Sequence, residues 1–206
     1  NIMIVDSSAL PEQVVKDVIG SAFLSAGQRC SALRVLIVQK EMMLKLKALL
    51  IAAMDELSIG DPQYFSNDIP PVIDQMAMTS LNRYKAAFVK EGKLVHEVCI
   101  SENLQDGFFV APTVLEIDKL SSLNKENFGP ILHLMTFEAT KLDELMDDVN
   151  AMGYGLTLGV HSRVDETIER VTRLANVGNI YINRNMVGAT VGVQPFGGEG
   201  YSGTGP

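Results

Sequence analysis

Cysteine and histidine are scarce in this sequence, and their scarcity excludes several kinds of site. Two cysteines in 206 residues cannot form a disulfide framework. Neither a Cys-x-x-Cys motif nor a Cys/His cluster is present, so no metal site is predicted. The acidic cluster of Asp143, Glu144, Asp147 and Asp148 is interpreted as the solvated face of a helix.

Long apolar runs and clusters of basic residues are missing as well. No apolar run is long enough to span a bilayer, and no signal peptide is recognisable. The formal net charge is −8 at pH 7 and Lys and Arg do not cluster, which disfavours binding to nucleic acid. We therefore expect a cytoplasmic protein that neither spans a membrane nor binds nucleic acid.

Hydrophobic patterning predicts a chain in which strands and helices alternate. Strands are predicted over 2–5, 33–38, 93–99, 108–115, 130–137, 156–161 and 178–183. Helices are predicted over 11–23, 42–57, a segment from the prolines at 70–71 to about 91, 142–151 and 164–176. The alternation indicates an α/β domain with a mainly parallel sheet flanked by helices. Sites in open sheets of this kind lie at the carboxyl ends of strands, so we expect the site there.

The stretch Ser25-Ala26-Gly27-Gln28-Arg29-Cys30 ends the first predicted helix and precedes a predicted strand. A lone cysteine is more often a buried structural thiol than a nucleophile, and Cys99 is interpreted as a core thiol. Near Cys30, however, Gly27 permits backbone conformations that turn N–H groups toward a ligand. Arg29 favours a thiolate if its side chain points inward. The residues alone leave both interpretations of Cys30 open.

Two later stretches have features of a cofactor or anion site, but also of ordinary turns. In Glu126-Asn127-Phe128-Gly129-Pro130, the Gly-Pro pair is typical of a turn. Yet a carboxylate can accept hydrogen bonds from both hydroxyls of a ribose, and an aromatic ring can pack on a nicotinamide. Glycine and alanine in the stretch 183–198 let N–H groups approach an anion closely, although a loop of small residues can also be purely steric.

Together these stretches resemble the aldehyde dehydrogenase superfamily. The residues that end at Cys30 are similar to its nucleophile motif, and 126–130 is similar to its Glu-x-Phe-Gly-Pro motif. Pro-Phe-Gly-Gly at 195–198 and Ser-Gly at 202–203 follow in the family's order. The fuller wording is most similar to the glutamate-γ-semialdehyde (1-pyrroline-5-carboxylate) dehydrogenases, particularly those in bifunctional proline utilisation proteins. It includes Ser-Ala-Leu-Arg after Cys30, Gly-Tyr-Gly-Leu-Thr at 153–157 and Asn-Arg-Asn at 183–185.

The resemblance implies a role for particular residues. Cys30 would attack the aldehyde, and Glu126 and Phe128 would bind the ribose and nicotinamide of NAD. The residues implied to hold the substrate's carboxylate and aliphatic stem are Ser31, Gly188, Ala189 and Phe196. The implied reaction is the oxidation of L-glutamate γ-semialdehyde to glutamate in proline catabolism, through a thiohemiacetal and a thioester on cysteine.

The resemblance also implies that residues 1–206 are a fragment of an aldehyde dehydrogenase catalytic domain. The family's general base, its oxyanion asparagine and most of its cofactor domain correspond to positions before Asn1. Its oligomerisation segment corresponds to positions after Pro206. We therefore expect the isolated chain to be inactive and the full-length protein to be a homo-oligomer.

Two alternatives stay open. Succinate semialdehyde, another aldehyde that carries a carboxylate, satisfies the same physical logic, and the sequence does not separate NAD from NADP. The other alternative is a non-catalytic scaffold or oligomerisation module, because the chain lacks the family's base and a complete cofactor domain.

Overall fold

A seven-stranded sheet forms the centre of the computed structural model, which describes residues 1–104, 106–190, 192–203 and 205. The described strands are β1 (Ile2–Val5), β2 (Val35–Gln39), β3 (Leu94–Glu97), β4 (Thr113–Glu116), β5 (Ile131–Phe137), β6 (Tyr154–Gly155), β7 (Thr157–His161), β8 (Asn179–Ile182) and β9 (Glu199–Gly200). The order in the main sheet is β3-β4-β5-β2-β1-β7-β8, and β6 pairs with β9 separately. All pairs in the main sheet are parallel except β3 with β4. The predicted, mainly parallel sheet is confirmed.

Helices cover both faces of this sheet. They are α1 (Pro11–Ala22), α2 (Lys40–Asp55), α3 (Gln75–Lys90), α4 (Leu142–Ala151) and α5 (Asp165–Leu174). Side chains of β1 alternate between two cores: Met3 and Val5 pack with α1, α2 and α3, whereas Ile2 and Ile4 pack with α4 and α5. None of the described helices is long and apolar enough to cross a membrane.

Local residue chemistry explains several helix boundaries. Pro11 begins α1, where the missing N–H of proline costs no helical hydrogen bond. Asp74 caps α3 by accepting a 2.7 Å hydrogen bond from the N–H of Ala77. Gly92 follows the end of α3 with φ +71°, a conformation that glycine adopts without strain.

Two predictions on the β3–β4 side of the sheet need correction. The strand predicted over 108–115 is observed only as Thr113–Glu116, because Pro112 supplies no N–H to a ladder. The prediction that Cys99 is a core thiol is wrong, since its side chain is exposed. β3 ends at Glu97, and the buried residue beyond it is Val98. The acidic cluster on α4 is exposed as predicted, and Asp143 pairs there with Arg170.

Candidate active site

A cleft opens at the edge of the sheet where the parallel strands begin. Ile2, Val35 and Thr157, at the starts of β1, β2 and β7, line its floor, and both Cys30 and Glu126 face into it. The expectation of a site at the carboxyl ends of the strands is therefore wrong. The reason is connectivity: Cys30 lies between α1 and β2, and Glu126 lies just before β5, so both loops enter strands rather than leave them.

The loop that carries the candidate nucleophile, residues 24–31 and here named the nucleophile loop, has an unusual backbone. Three successive residues adopt left-handed conformations, with φ of 57° at Ser25, 52° at Ala26 and 62° at Gly27. The turn brings Cys30 to the surface, where its side chain is exposed. The carbonyl of Cys30 accepts a 2.6 Å hydrogen bond from Nδ2 of Asn1, which fixes the loop to the start of β1.

Gln28 fixes the other side of the nucleophile loop. Its Nε2 donates to the carbonyl of Pro71 at 3.3 Å, and its Oε1 accepts from the N–H of Ile73 at 2.9 Å. The loop is thus held to β1 on one side and to the segment before α3 on the other. An exposed thiol on a loop fastened in this way has a defined position, which a nucleophile requires.

The nucleophile loop packs directly on the clamp loop, residues 126–130. A Cβ atom at Gly27 would collide with the carbonyl group of Gly129, so the two backbones touch at this point. Glycine is needed at 27 both for its left-handed φ and for this close approach. The contact brings together two sequence segments that carry the candidate nucleophile and the candidate cofactor residues.

Arg34 joins the same two loops through its side chain. Its Nε donates to Oε1 of Glu126 at 3.1 Å and its Nη1 to the carbonyl of Gly129 at 3.1 Å. Its Nη2 donates to the carbonyl of Arg29 at 3.4 Å, and its Cζ lies 4.9 Å from the centre of the Phe128 ring. Sequence reasoning quoted Arg34 only as part of a motif and gave it no role. The available signal was a charged residue at the entrance of an otherwise apolar strand.

His133 also lines the cleft, and sequence reasoning gave it no role either. Its Nδ1 donates to the carbonyl of Arg34 at 2.9 Å, and the hydroxyl of Tyr84 donates to its Nε2 at 2.8 Å. Burial lowers the pKa of His133 to about 4 and raises the pKa of Tyr84 to about 12. His133 is therefore neutral at pH 7 with both ring nitrogens engaged, which leaves no free nitrogen for general-base catalysis.

The other predicted site residues lie outside the set that lines the cleft. Of the residues the structure describes, the cleft includes Cys30 and Glu126 but none of Ser31, Phe128, Gly188, Ala189 and Phe196. Phe128 is nevertheless adjacent, because Arg34 contacts both its ring and Glu126. The ring is 46% exposed, so much of its surface is open to a ligand.

The four predicted substrate residues have different surroundings. Ser31 is only 6% exposed and Ala189 is half-buried, whereas Phe196 is 38% exposed and Gly188 is exposed, with φ +84°. The segment that carries Gly188 and Ala189 is fastened beside α1, because the N–H of Met186 donates to Oγ of Ser21 at 2.9 Å. Val191, in the same glycine-rich stretch, lies outside the described residues.

Curated proteins of known function resemble the chain along its whole length. Bifunctional protein PutA of Klebsiella aerogenes is 54% identical over 212 residues, which cover 100% of this chain and 16% of that protein. A 1-pyrroline-5-carboxylate dehydrogenase of a Geobacillus species is 34% identical over 204 residues, which cover 98% of this chain and 39% of that protein. The chain thus spans well under half the length of these relatives.

Solved structures agree with the sequence relatives. A crystal structure of a bifunctional proline utilization A (PutA) protein matches with a TM-score of 0.95 and 48% identity, over 100% of this chain and 21% of the other. A 1-pyrroline-5-carboxylate dehydrogenase from Thermus with bound NAD matches with a TM-score of 0.89 and 35% identity, over 98% of this chain and 39% of the other. Residues 1–206 also match the sequence profile of the aldehyde dehydrogenase family. The resemblance predicted from the motifs is confirmed, and the chain belongs to the aldehyde dehydrogenase family.

Proposed function

We propose that the chain is the catalytic domain of an NAD-dependent dehydrogenase that oxidises L-glutamate γ-semialdehyde to glutamate in proline catabolism. The observation that carries the proposal is a single cleft shared by an exposed cysteine, Cys30, and a partly exposed carboxylate, Glu126. Relatives that are 1-pyrroline-5-carboxylate dehydrogenases or PutA proteins support the substrate. Because the chain spans only part of their length, the proposal concerns the complete protein that contains it.

The clamp loop fits the nicotinamide riboside half of NAD. The Glu126 side chain is 37% exposed at the cleft, and the Phe128 ring beside it presents apolar surface. Glu126 would accept hydrogen bonds from the ribose hydroxyls, and Phe128 would pack on the nicotinamide ring. Bound there, NAD would supply the acceptor for the hydride lost by the substrate. NAD is proposed rather than NADP because the Thermus relative has NAD bound.

Cys30 provides the covalent chemistry in this proposal. Its thiolate forms a bond to the aldehyde carbon while the carbonyl electron pair moves to oxygen, giving a thiohemiacetal. Loss of hydride from that carbon leaves a thioester, which water cleaves to release the carboxylate and return the thiol. No residue of this chain is assigned as the base that activates the water, and His133 is unsuited to it because both of its nitrogens are engaged.

Two exposed cysteines make a matched test of the nucleophile. In the complete protein, Cys30→Ser should lower the aldehyde-dependent reduction of NAD by at least about a thousandfold, because a serine hydroxyl is not ionised near pH 7. Cys99→Ser, which replaces the other exposed thiol, should leave the rate within about twofold of wild type. Normal turnover by Cys30→Ser would refute the proposal. The isolated chain should show little or no turnover.

Thiol labelling separates the dehydrogenase from the scaffold alternative without an assay of turnover. Since Cys30 and Cys99 are both exposed, accessibility alone predicts similar rates of alkylation. An activated nucleophile predicts faster alkylation of Cys30 at neutral pH. Equal rates in the complete protein would favour the non-catalytic scaffold.

Substrate and cofactor choice can be tested on the same protein. L-glutamate γ-semialdehyde should give a higher kcat/KM than succinate semialdehyde, and NAD a higher kcat/KM than NADP. A reversed order would replace the proposed substrate or cofactor without affecting the reaction class. The cytoplasmic location and the homo-oligomeric state stay predictions.

The substrate residues Ser31, Gly188, Ala189 and Phe196 are kept as part of the proposal. Ser31→Ala should raise the KM for glutamate semialdehyde about tenfold, the effect of losing one hydrogen bond to a charged group. The KM for propionaldehyde, which has no carboxylate, should stay within about twofold. An equal rise in KM for both aldehydes would show that Ser31 does not bind the substrate's carboxylate.

A further inference from the structure

Arg34 contacts both loops of the candidate site but does not itself carry out the proposed chemistry. We propose that Arg34 is a positioning residue, which holds Glu126 and Phe128 in the orientation that receives the nicotinamide riboside and locks them to the nucleophile loop. This inference rests on the proposed dehydrogenase function and adds a residue that the family motifs left without a role.

The contacts of Arg34 divide between the two loops. Glu126, Phe128 and Gly129 belong to the clamp loop, and Arg29 is the residue immediately before Cys30. Three nitrogens of one planar guanidinium therefore bond to two separate segments at once. A rigid fork of this kind fixes direction as well as distance, which a flexible ammonium cannot do.

The main chain of Arg34 is equally well fixed. Its carbonyl accepts hydrogen bonds from the N–H of His133 at 2.8 Å and from Nδ1 of the same residue at 2.9 Å. Arg34 is thus held at two points, its main-chain carbonyl against β5 and its guanidinium against the clamp loop. Glu126 is consequently fixed relative to the central sheet through Arg34, although Glu126 itself lies on a surface loop.

The burial of Arg34 indicates that its ion pair with Glu126 orients the clamp loop more than it stabilises the fold. The Arg34 side chain is 7% exposed, and its partner Glu126 is 37% exposed. Buried ion pairs gain little over a well-packed apolar pair, because removing both charges from water offsets their attraction. Burial lowers the pKa of Arg34 and Glu126 opposes that shift, yet an arginine stays charged throughout. A permanent cation at this place is therefore better explained by the geometry that it imposes.

The geometry leaves one side of each clamp residue available. Arg34 occupies Oε1 of Glu126, while Oε2 accepts no hydrogen bond from any residue of the described structure. The guanidinium lies over the Phe128 ring, which is still 46% exposed. Arg34 thus supports the inner side of both groups, and their remaining surfaces are free for a ribose diol and a nicotinamide ring.

The test measures NAD binding directly in the complete protein, by calorimetry without aldehyde. Arg34→Met should raise the Kd for NAD about tenfold, and Glu126→Gln should do the same, as expected for one charge-assisted hydrogen bond. The double variant should be no more than about twofold weaker than either single one, because most of the effect of Arg34 on NAD binding is exerted through Glu126. Arg170→Met is the matched control, because Arg170 on α5 also pairs with a carboxylate, that of Asp143 on α4. The Kd of this variant for NAD should equal that of the wild type.

Each outcome decides between positioning and mere structural support. A folded Arg34→Met protein with unchanged NAD affinity overturns the inference, and so does a hundredfold loss in the double variant, which means independent effects. Should Arg34→Met fail to fold, Arg34→Lys decides, since lysine keeps the charge but loses the fork. Its Kd should rise about threefold and an unchanged Kd overturns the inference. A wild-type protein that neither binds NAD nor oxidises the aldehyde refutes the proposed function as well.

Discussion

The two edges of the parallel sheet use their polar side chains in opposite ways. At the edge where strands begin, Cys30 is exposed, and Glu126, which also lines the cleft, has Oε1 bonded while its Oε2 accepts no hydrogen bond from the described residues. At the edge where strands end, Asp6 is 7% exposed and is surrounded by donors. Its Oδ1 accepts from the N–H and hydroxyl of Ser8 at 2.8 and 2.6 Å, and its Oδ2 accepts from the hydroxyl of Ser162.

Asn183 extends this second network to β8. Its Oδ1 accepts from the N–H of Ser162 at 3.0 Å, and its Nδ2 donates to the carbonyl of the same residue at 2.8 Å. Asp6, Ser8, Ser162 and Asn183, here named the carboxyl-edge staple, thereby connect the ends of β1, β7 and β8. Their side chains bond to one another and to neighbouring backbone groups of Arg163 and Val164, so they stabilise the fold. At the amino edge, by contrast, the Cys30 thiol and Oε2 of Glu126 make no hydrogen bond to the described residues, so both are available to a ligand.

Among changes that leave Cys30 in place, the largest loss of activity should come from disturbing the contact between the two loops of the amino edge. Gly27→Ala places a methyl group against the carbonyl of Gly129 in a backbone with φ +62°. We expect kcat/KM to fall about a hundredfold, the usual consequence of displacing a catalytic group by about 1 Å. Steady-state kinetics of the complete protein, with far-ultraviolet circular dichroism to verify folding, measures this.

Gly92→Ala is the control for the backbone conformation alone. Gly92 has a similar φ of +71°, but a Cβ atom there would meet nothing within 4 Å. The free energy of unfolding should fall by about 1 kcal/mol while kcat/KM is unchanged. Equal losses of activity in the two variants would mean that the close approach of Gly27 to Gly129 is not what matters.

The second effect should be on stability rather than activity. Asp6→Ala removes the acceptor for three hydrogen bonds of the carboxyl-edge staple, whose donors are the part-buried N–H and hydroxyl of Ser8 and the buried hydroxyl of Ser162. The free energy of unfolding should fall by about 3 kcal/mol, while kcat/KM measured well below the melting temperature stays within about twofold. Urea denaturation and steady-state assays give the two numbers.

An exposed carboxylate provides the comparison for Asp6. Asp148→Ala, on the solvated face of α4, should leave the urea midpoint nearly unchanged. If Asp6→Ala instead lost activity without losing stability, the carboxyl edge would hold a functional site, and the contrast between the two edges would be wrong.

Local sequence patterns predicted most of the helices and strands, but not the contacts between distant segments. Apolar runs placed β2 and β5 within a few residues, because buried parallel strands are continuous in hydrophobicity. The contact between Arg34 and Glu126, which lie 92 positions apart, depends on strand order and could not be derived from local pattern. The two-residue strands β6 and β9 are too short to show any period.

Two errors came from applying a general rule to a specific place. Apolar neighbours predict a core position for Cys99, but this residue lies past the end of the edge strand β3 and is exposed. The site was assigned to the carboxyl edge by a rule for open sheets. Yet the predicted strand at 33–38 already followed Cys30, so the order of elements could have indicated the amino edge.

The smallest effect should appear when pH is lowered, through His133 at the floor of the cleft. Its pKa is about 4 in the folded protein and 6.5 when unperturbed, so the unfolded state binds a proton first as pH falls. Stability from this residue is complete above pH 6.5 and is lost progressively between pH 6.5 and pH 4. From pH 7 to pH 5 the free energy of unfolding should fall by about 2 kcal/mol on account of His133.

His133→Gln isolates that contribution, because glutamine does not titrate. The variant is expected to be less stable at pH 7, since it cannot reproduce both bonds to Tyr84 and Arg34. The informative quantity is the slope of unfolding free energy against pH, which should be shallower than in wild type between pH 7 and pH 5. Other titrating groups, such as the buried His161, act in both proteins and cancel in the difference. Identical slopes would show that His133 accepts a proton as readily in the folded state as in the unfolded state. The amino edge would then contain a histidine able to act as a base, contrary to the hydrogen bonds observed at both of its ring nitrogens.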